Sequence, residues 1–209
     1  MKNLWDQKTA SKLEKNPLKL RVYSSQLLGI NSDLVLHGGG NTSVKLSEKN
    51  IFGEEEDILY VKGSGINLAT IDAKGFTPLR LKHMKKLAEL VNISDTFLLS
   101  EQQVAMKNPE APRPSVEALL HAIIPFCWID HTHADAVVTL TNTPKGEKLI
   151  QDVYGDRFLV IPYVMPGFKL ARTVYEITKK VNWQQYEGMI LLNHGIISFG
   201  TEAHESYQR

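Results

Sequence analysis

Three histidines at the ends of apolar segments are the residues of this sequence best placed to do chemistry. His131 and His133 belong to the segment DHTH at 130–133, which follows a short apolar run. On a β-strand, residues two apart point to the same side, so both imidazoles can face one ion. His194 ends a second apolar run. Three neutral imidazoles that leave a fourth position open to water or substrate are typical of a catalytic zinc site.

A carboxylate precedes this group in the sequence. Glu117 lies near the start of a predicted helix over residues 115–125, where the partial positive charge of a helix N-terminus favours a negative side chain. Taken locally, this pattern is typical of a helix-capping residue. If that end of the helix faces the histidines, Glu117 is a candidate general base or a displaceable fourth ligand. His121 would lie on the same side of the helix and could orient Glu117 by a hydrogen bond.

Two glycine-rich segments, HGGGNTS at 37–43 and KGSG at 62–65, could bind a phosphate group. Glycines let the backbone approach an anion closely, and successive N–H groups form an anion-binding concavity. Lys62 adds a cation; a Schiff-base role for it is unnecessary where a metal site supplies the chemistry. Glycine clusters are also common in tight turns. Neither segment has the spacing of G-x-G-x-x-G or of the P-loop, so we do not expect a nucleotide-binding fold.

The composition indicates a soluble globular domain. The 209 residues, 43% hydrophobic and 22% charged, suffice for one core and fall short of two ordinary domains. The net charge of +1, without a block of one sign, gives no reason to expect a nucleic-acid or membrane partner. Cys127 is the only cysteine, and the sequence shows neither a secretory signal nor an apolar run of about 20 residues. We therefore predict a cytoplasmic protein.

The segments around these motifs alternate between helical and extended patterns, which predicts an α/β or α+β layered domain. The last helical pattern, from Thr201 onward, has no stop signal. We therefore expect a single domain over residues 1–209 that is a piece of a longer chain. The predicted helices span residues 18–30, 77–91, 115–125, 135–142 and 168–181, and the predicted strands span residues 44–46, 58–62, 127–132, 158–163, 188–192 and 196–199.

Five motifs, taken in this order, make the sequence similar to the class II aldolase/adducin family. They are HGGGNTSVK at 37–45, VKGSG at 61–65, RPSVEALLH at 113–121, DHTHADA at 130–136 and NHG at 193–195. The resemblance covers about residues 18–209 and is greatest to the aldolase half of bifunctional rhamnulose-phosphate aldolase/alcohol dehydrogenase proteins. It implies a three-layer α/β/α sandwich with a mainly antiparallel central sheet. It also implies a homo-oligomer, usually a tetramer, and a dehydrogenase domain fused to this one in the full-length protein.

The resemblance further implies roles for individual residues. Zn²⁺, or another divalent transition metal, would bind to His131, His133 and His194. Glu117 would be the acid/base residue that also approaches the metal. Val116 stands where the family often has a second serine, so the match to a phosphate hydroxyl is lost there. The residues at the matching phosphate-binding positions are Asn41, Ser64, Gly65 and Ser115.

These observations predict a metal-dependent aldolase that reversibly cleaves a ketose 1-phosphate to dihydroxyacetone phosphate and an aldehyde. The expected substrate is L-rhamnulose 1-phosphate. Two alternatives remain open. A pentulose-5-phosphate 4-epimerase could use the same fold and metal, because fold alone does not settle function. A non-catalytic adducin-like binding domain is the other, although such a domain would be expected to lose the metal histidines.

Overall fold

Apolar side chains alternate between the two sides of one sheet in the computed structural model, which describes residues 2–209. Along β6, for example, Met189 and Leu191 belong to one hydrophobic cluster and Ile190 to another, as the two-residue period of a strand requires. The sheet is therefore covered on both faces. In these residues its strands are β1 (Asn41–Lys49), β2 (Glu55–Lys62), β3 (Phe76–Arg80), β4 (Trp128–Thr132), β5 (Phe158–Ile161), β6 (Gly188–Leu191) and β7 (Gly195–Gly200), in the order β3-β2-β1-β4-β7-β6-β5.

The sheet is mixed. The β5–β6 pairing is parallel, whereas the other five pairings are antiparallel. The parallel pair arises because a helix over Phe168–Thr178 connects β5 to β6 and returns the chain to the same end of the sheet. The prediction of an α/β fold is confirmed, and its detail of a mainly antiparallel sheet is met only in part.

Helices pack against both faces of this sheet. The described residues form α1 (Gln7–Leu13), α2 (Pro17–Gly29), α3 (Leu81–Glu89), α4 (Asp95–Ala105), α5 (Ala118–Ile123), α6 (Asp135–Thr141), α7 (Gly146–Tyr154), α8 (Phe168–Thr178) and α9 (Ala203–Gln208). The largest hydrophobic cluster joins α3, α4, α5 and α8 to one face, and smaller clusters join α1, α2, α6, α7 and α9 to the other. Among residues 2–209, no helix has the length and apolar content needed to cross a bilayer.

The prediction of one helix over residues 77–91 is wrong at its start. Residues 76–80 form the edge strand β3, and helix α3 begins only at Leu81. Pairing with β2 satisfies the backbone of this segment and buries Phe76 and Leu79. Pro78 sits easily on an edge strand, where its missing N–H is not needed by a further neighbour. Helices α1, α4 and α7 were not predicted from the sequence.

A buried ion pair supports the strand that carries two of the histidines. The Asp130 side chain points to the face opposite the histidines, where its Oδ1 lies 2.6 Å from Nη2 of Arg21. Ser206 donates its hydroxyl to Oδ2 of Asp130 at 2.5 Å. Arg21 and Asp130 are almost completely buried. These contacts attach β4 to α2 and α9, because Arg21 belongs to α2 and Ser206 to α9.

Candidate metal centre

The structure brings together the three histidines that the sequence singles out. One ring nitrogen of each of His131, His133 and His194 lies within 4.8 Å of the others. His131 is the last residue but one of the buried strand β4, and His133 follows two residues later. His194 lies in the turn between β6 and β7, and β7 pairs with β4. The sheet register therefore fixes the distance between the two histidine segments.

His131 presents one defined nitrogen to this cluster. Its Nδ1 lies 3.0 Å from the carbonyl oxygen of Ile196, which can only accept, so Nδ1 carries the hydrogen and Nε2 keeps its lone pair. Burial, together with the nearby His194 and His133, lowers the pKa of His131 to about 4. Burial likewise lowers the pKa of His133. Both rings are therefore neutral near pH 7, which is the form that binds a metal ion.

A strained turn holds His194 in place. The preceding Asn193 has a left-handed backbone with φ of 56°, a conformation that asparagine tolerates better than most residues. The Asn193 amide donates to the carbonyl of Thr141 at 3.1 Å and to Oδ1 of Asn142 at 2.9 Å. Since α6 ends at Thr141 and starts just after His133, the same helix contacts both histidine segments.

The Glu117 carboxylate faces the histidine cluster. Its Oε1 lies 3.2 Å from Nε2 of His194, and its Oε2 lies 3.5 Å from Nε2 of His131. Burial would raise the pKa of Glu117, but His131, His194 and the amide of Asn41 together lower it below its ordinary value. Glu117 is therefore an ionised carboxylate near neutral pH, although it is only 9% exposed.

The helix that carries Glu117 is shorter than predicted from the sequence. Helix α5 spans Ala118–Ile123, and Glu117 is its N-cap residue rather than a member of its first turn. The Ser115 hydroxyl does not cap a helix over residues 115–125; it accepts the backbone N–H of Glu117 at 3.3 Å. The early end has a physical reason: Ile124 adopts an extended backbone that leads into Pro125.

The arrangement of donor atoms fits a cation. Nε2 of His131 carries a lone pair and lies 3.2 Å from Nε2 of His133, close to the Glu117 carboxylate. Within residues 2–209, Oε1 of Glu117 is buried without a hydrogen-bond donor. So many acceptor atoms converging in one place repel each other unless a positive charge lies between them. Imidazole and carboxylate ligands suit zinc, iron, nickel or cobalt.

The two glycine-rich segments meet beside this cluster. A Cβ added to Gly38 would lie 2.7 Å from the carbonyl oxygen of Gly65, so only glycine allows this approach of the two backbones. The buried Lys62 joins them, since its Nζ donates to the carbonyls of Gly38 at 3.0 Å, Gly63 at 3.3 Å and Ile66 at 2.8 Å. All three of its N–H groups are thus committed.

The residues predicted to bind phosphate lie around this junction. Ser64 and Gly65 are exposed, as a ligand-binding segment must be. The Ser115 N–H donates to the carbonyl of Lys62 at 3.3 Å, which places Ser115 beside the KGSG segment. Asn41 differs from the others: its Nδ2 donates to Oε2 of Glu117 at 2.6 Å and lies 3.5 Å from Oγ of Ser115.

The His121 ring does not hydrogen-bond to the Glu117 carboxylate, contrary to the expectation from helical spacing. The ring is completely buried and bonds to Asn41 and Ser43 on β1. The sequence therefore predicted that His121 lies near Glu117, but it did not predict the residues to which the His121 ring bonds. The signal that was available is the two-residue alternation of Asn41 and Ser43, which places both side chains on the sheet face that carries His131.

Comparison with known proteins agrees with the motifs. The sequence profile of the Class II Aldolase and Adducin N-terminal domain family matches residues 21–209. The chain is 36% identical over its whole length to the uncharacterized oxidoreductase YuxG of Bacillus subtilis (strain 168), but it spans only 30% of the length of that relative.

Solved structures show the same fold. The N-terminal class II aldolase domain of a conserved protein from Thermoplasma acidophilum is 38% identical, with a TM-score of 0.89 over 100% of this chain and 93% of that one. A sugar-phosphate aldolase from Thermotoga maritima is 16% identical, with a TM-score of 0.64 over 94% and 89% of the two chains. The second likeness concerns the fold alone. The profile match and the Thermoplasma acidophilum domain show that this chain belongs to the class II aldolase and adducin N-terminal domain family.

Proposed function

We propose that this domain is a metal-dependent aldolase that reversibly cleaves a ketose 1-phosphate, with L-rhamnulose 1-phosphate as the expected substrate. The products are dihydroxyacetone phosphate and an aldehyde. The observation that carries the proposal is the position of the Glu117 carboxylate, which lies between His131 and His194 and next to the junction of the glycine-rich segments. The longer B. subtilis relative supports the further proposal that this domain is fused to a dehydrogenase, and homotetramer formation stays a prediction.

In this proposal His131, His133 and His194 hold a divalent cation, with Glu117 as an additional ligand when no substrate is present. When bound, the cation supplies Lewis-acid stabilisation of negative charge on the substrate oxygens. The exposed Ser64 hydroxyl and the Gly65 N–H of the KGSG segment bind the phosphate and fix the position of the reacting carbon. Lys62 contributes a buried positive charge to that phosphate site, since its Nζ bonds to the carbonyl of Gly38.

Glu117 moves the proton. In the direction of synthesis, its ionised carboxylate accepts the carbon-bound proton of dihydroxyacetone phosphate. The electron pair left on that carbon attacks the aldehyde, and the alkoxide formed on the aldehyde oxygen takes a proton from water. In cleavage these steps reverse: the hydroxyl group on the carbon that becomes the aldehyde loses its proton to water, and the carbon–carbon bond breaks. The electron pair stays on the dihydroxyacetone phosphate carbon, and Glu117, protonated at this stage, donates its proton there. Burial in a water-poor site strengthens the interactions that orient the carboxylate.

Glu117→Gln tests this role, with Glu110→Gln in the exposed preceding loop as the matched control. We expect Glu117→Gln to keep bound zinc and to lower kcat by about 10²- to 10⁴-fold, which is the usual contribution of a general base. The control should cleave L-rhamnulose 1-phosphate at the wild-type rate. Release of dihydroxyacetone phosphate is followed with a coupled assay, and zinc is measured by elemental analysis.

Several outcomes would contradict the proposal. Full cleavage activity in Glu117→Gln would remove its role as the base. Absence of bound metal in the wild type after reconstitution, or unchanged metal content in His131→Ala, would remove the metal mechanism and favour an adducin-like binding domain. Conversion of a pentulose 5-phosphate to its epimer without any triose phosphate would identify the 4-epimerase activity instead.

A further inference from the structure

A buried chain of hydrogen bonds ends on the Glu117 carboxylate. Ser43 bonds through its hydroxyl to Nδ1 of His121 at 2.7 Å, and Nε2 of His121 bonds to Oδ1 of Asn41. Nδ2 of Asn41 then donates to Oε2 of Glu117 at 2.6 Å. Ser43 and His121 are 0% exposed and Asn41 is 3% exposed, so water does not compete for these bonds.

The chemistry of the groups fixes the direction of every bond in this chain. An ionised carboxylate can only accept, so Asn41 must turn its NH₂ group toward Glu117 and its carbonyl oxygen toward His121. Nε2 of His121 therefore carries the hydrogen and donates it to Asn41. Nδ1 then has a lone pair, which accepts the hydroxyl hydrogen of Ser43. Burial lowers the pKa of His121 to about 3, so the ring stays neutral near pH 7.

We infer that His121 is a positioning residue for the Glu117 carboxylate, which it orients through Asn41, and that Ser43 supports the required imidazole tautomer by donating to Nδ1. This inference rests on the proposed function, because it concerns the orientation of the proposed base. A flipped Asn41 would set its oxygen against the carboxylate and its NH₂ against the N–H of His121. Both contacts are repulsive, so the chain allows one orientation of the amide only.

The consequence for Glu117 is a fixed carboxylate plane. With Oε2 held by the Asn41 amide, Oε1 is turned toward His194, 3.2 Å from its Nε2. Hydrogen bonds whose donors all point in the same direction polarise each other. In this chain every donor points toward Glu117, so the partial positive charge of the Asn41 NH₂ group beside the carboxylate is increased. A carboxylate held in this way does not lose its working geometry when the substrate enters.

The first experiment uses nitrogen-15 NMR of the histidine side chains in the metal-free protein, and it requires no activity. We expect the His121 ring to be the neutral form with hydrogen on Nε2 near neutral pH, and we assign its signals by their loss in His121→Gln. In Ser43→Ala we expect a measurable fraction of the other tautomer. A wild-type His121 that is charged near neutral pH, or that carries its hydrogen on Nδ1, would overturn the inference.

The second experiment compares two substitutions of His121 by kinetics and by metal content. Gln can still donate an N–H to Asn41, whereas Leu has a similar size and no donor. We expect His121→Leu to lower kcat by about 10- to 100-fold, with little change in KM and with zinc retained, and His121→Gln to recover most of the loss.

A purely structural role for His121 predicts a different pattern. Both variants would then lose stability, zinc and substrate affinity together, with no rescue by Gln, and that result would also overturn the inference. If His121→Leu does not fold, Ser43→Ala replaces it, since this variant keeps the imidazole and should lower kcat without loss of zinc. A wild-type protein without aldolase activity would refute the proposed function, while the NMR result would still decide the orientation of the chain.

Discussion

Gly195 makes possible the close approach of the two segments that carry the histidines. A Cβ added at this position would lie 2.4 Å from the carbonyl oxygen of Thr132, which is about 1 Å closer than ordinary contact. It would also lie 3.1 Å from Cε1 of His131 and 3.2 Å from Cδ2 of His133. The nearest obstacle is backbone of the paired strand β4, so it cannot rotate away as a side chain could.

We therefore expect Gly195→Ala to push β7 and β4 apart at the histidine end. Overpacking of this kind costs about 1 to 3 kcal/mol, and a backbone obstacle places the cost in the upper part of that range. A shift of ligand positions by several tenths of an ångström exceeds the tolerance of a metal site. We expect the affinity for zinc to fall by about 10- to 100-fold.

Gly200→Ala, at the other end of the same strand, is the matched control. The Cβ added there would lie 2.7 Å from Oε2 and 2.9 Å from both Cβ and Cγ of Glu205, so the obstacle is a side chain on α9 rather than the backbone of the paired strand. Its cost should be smaller than that of Gly195→Ala, because α9 can shift without moving β4, and its zinc affinity should be unchanged. Urea unfolding of the metal-free proteins measures stability, and competition with a chromophoric chelator measures zinc affinity. Wild-type values in Gly195→Ala, or equal damage in both variants, would refute the reasoning.

Two further predictions concern buried charges. Arg21→Met should lower the free energy of unfolding by about 3 to 5 kcal/mol, because Asp130 would keep a buried charge without a partner. The double variant Arg21→Met/Asp130→Leu should lose less stability. Equal losses of the two variants in urea unfolding would contradict this prediction. Burial lowers the pKa of Lys62 to about 8, so its ammonium charge is present below that pH and is lost above it. Calorimetric affinity for inorganic phosphate should therefore fall as the pH rises through about 8 in the wild type. Lys62→Met should bind phosphate more weakly and without this pH dependence, and a wild-type curve that does not fall would show that Lys62 plays no part in anion binding.

Much of the candidate site follows from local rules that the sequence displays directly. The two-residue spacing of His131 and His133 requires only that the segment be a strand. The glycine-rich segments and the histidine before Gly195 are contiguous motifs, and together they are sufficient to identify the family. The helical and extended patterns also indicate the α/β class, because periodicity depends on each element by itself.

The exact ends of elements were less accessible to sequence reasoning. Residues 76–80 have apolar spacing compatible with a helix, and only the free edge of β2 makes them a strand. Helix α5 likewise differs from its predicted range, because it ends before Ile124, which has an extended backbone. In both cases a neighbouring element or a following proline outweighs the local preference.

The tertiary structure alone decided how the base is held. Asn41 and Glu117 are 76 positions apart, and His121 is 80 positions from Asn41, so no spacing rule relates them. The antiparallel register of β1 and β4 sets Asn41 opposite His131, and α5 packs over that face of the sheet. A buried amide then has one orientation that satisfies both neighbours. The partners of that amide are the polar groups that the fold buries beside it. Which groups are buried together is a property of the packed chain rather than of any one segment.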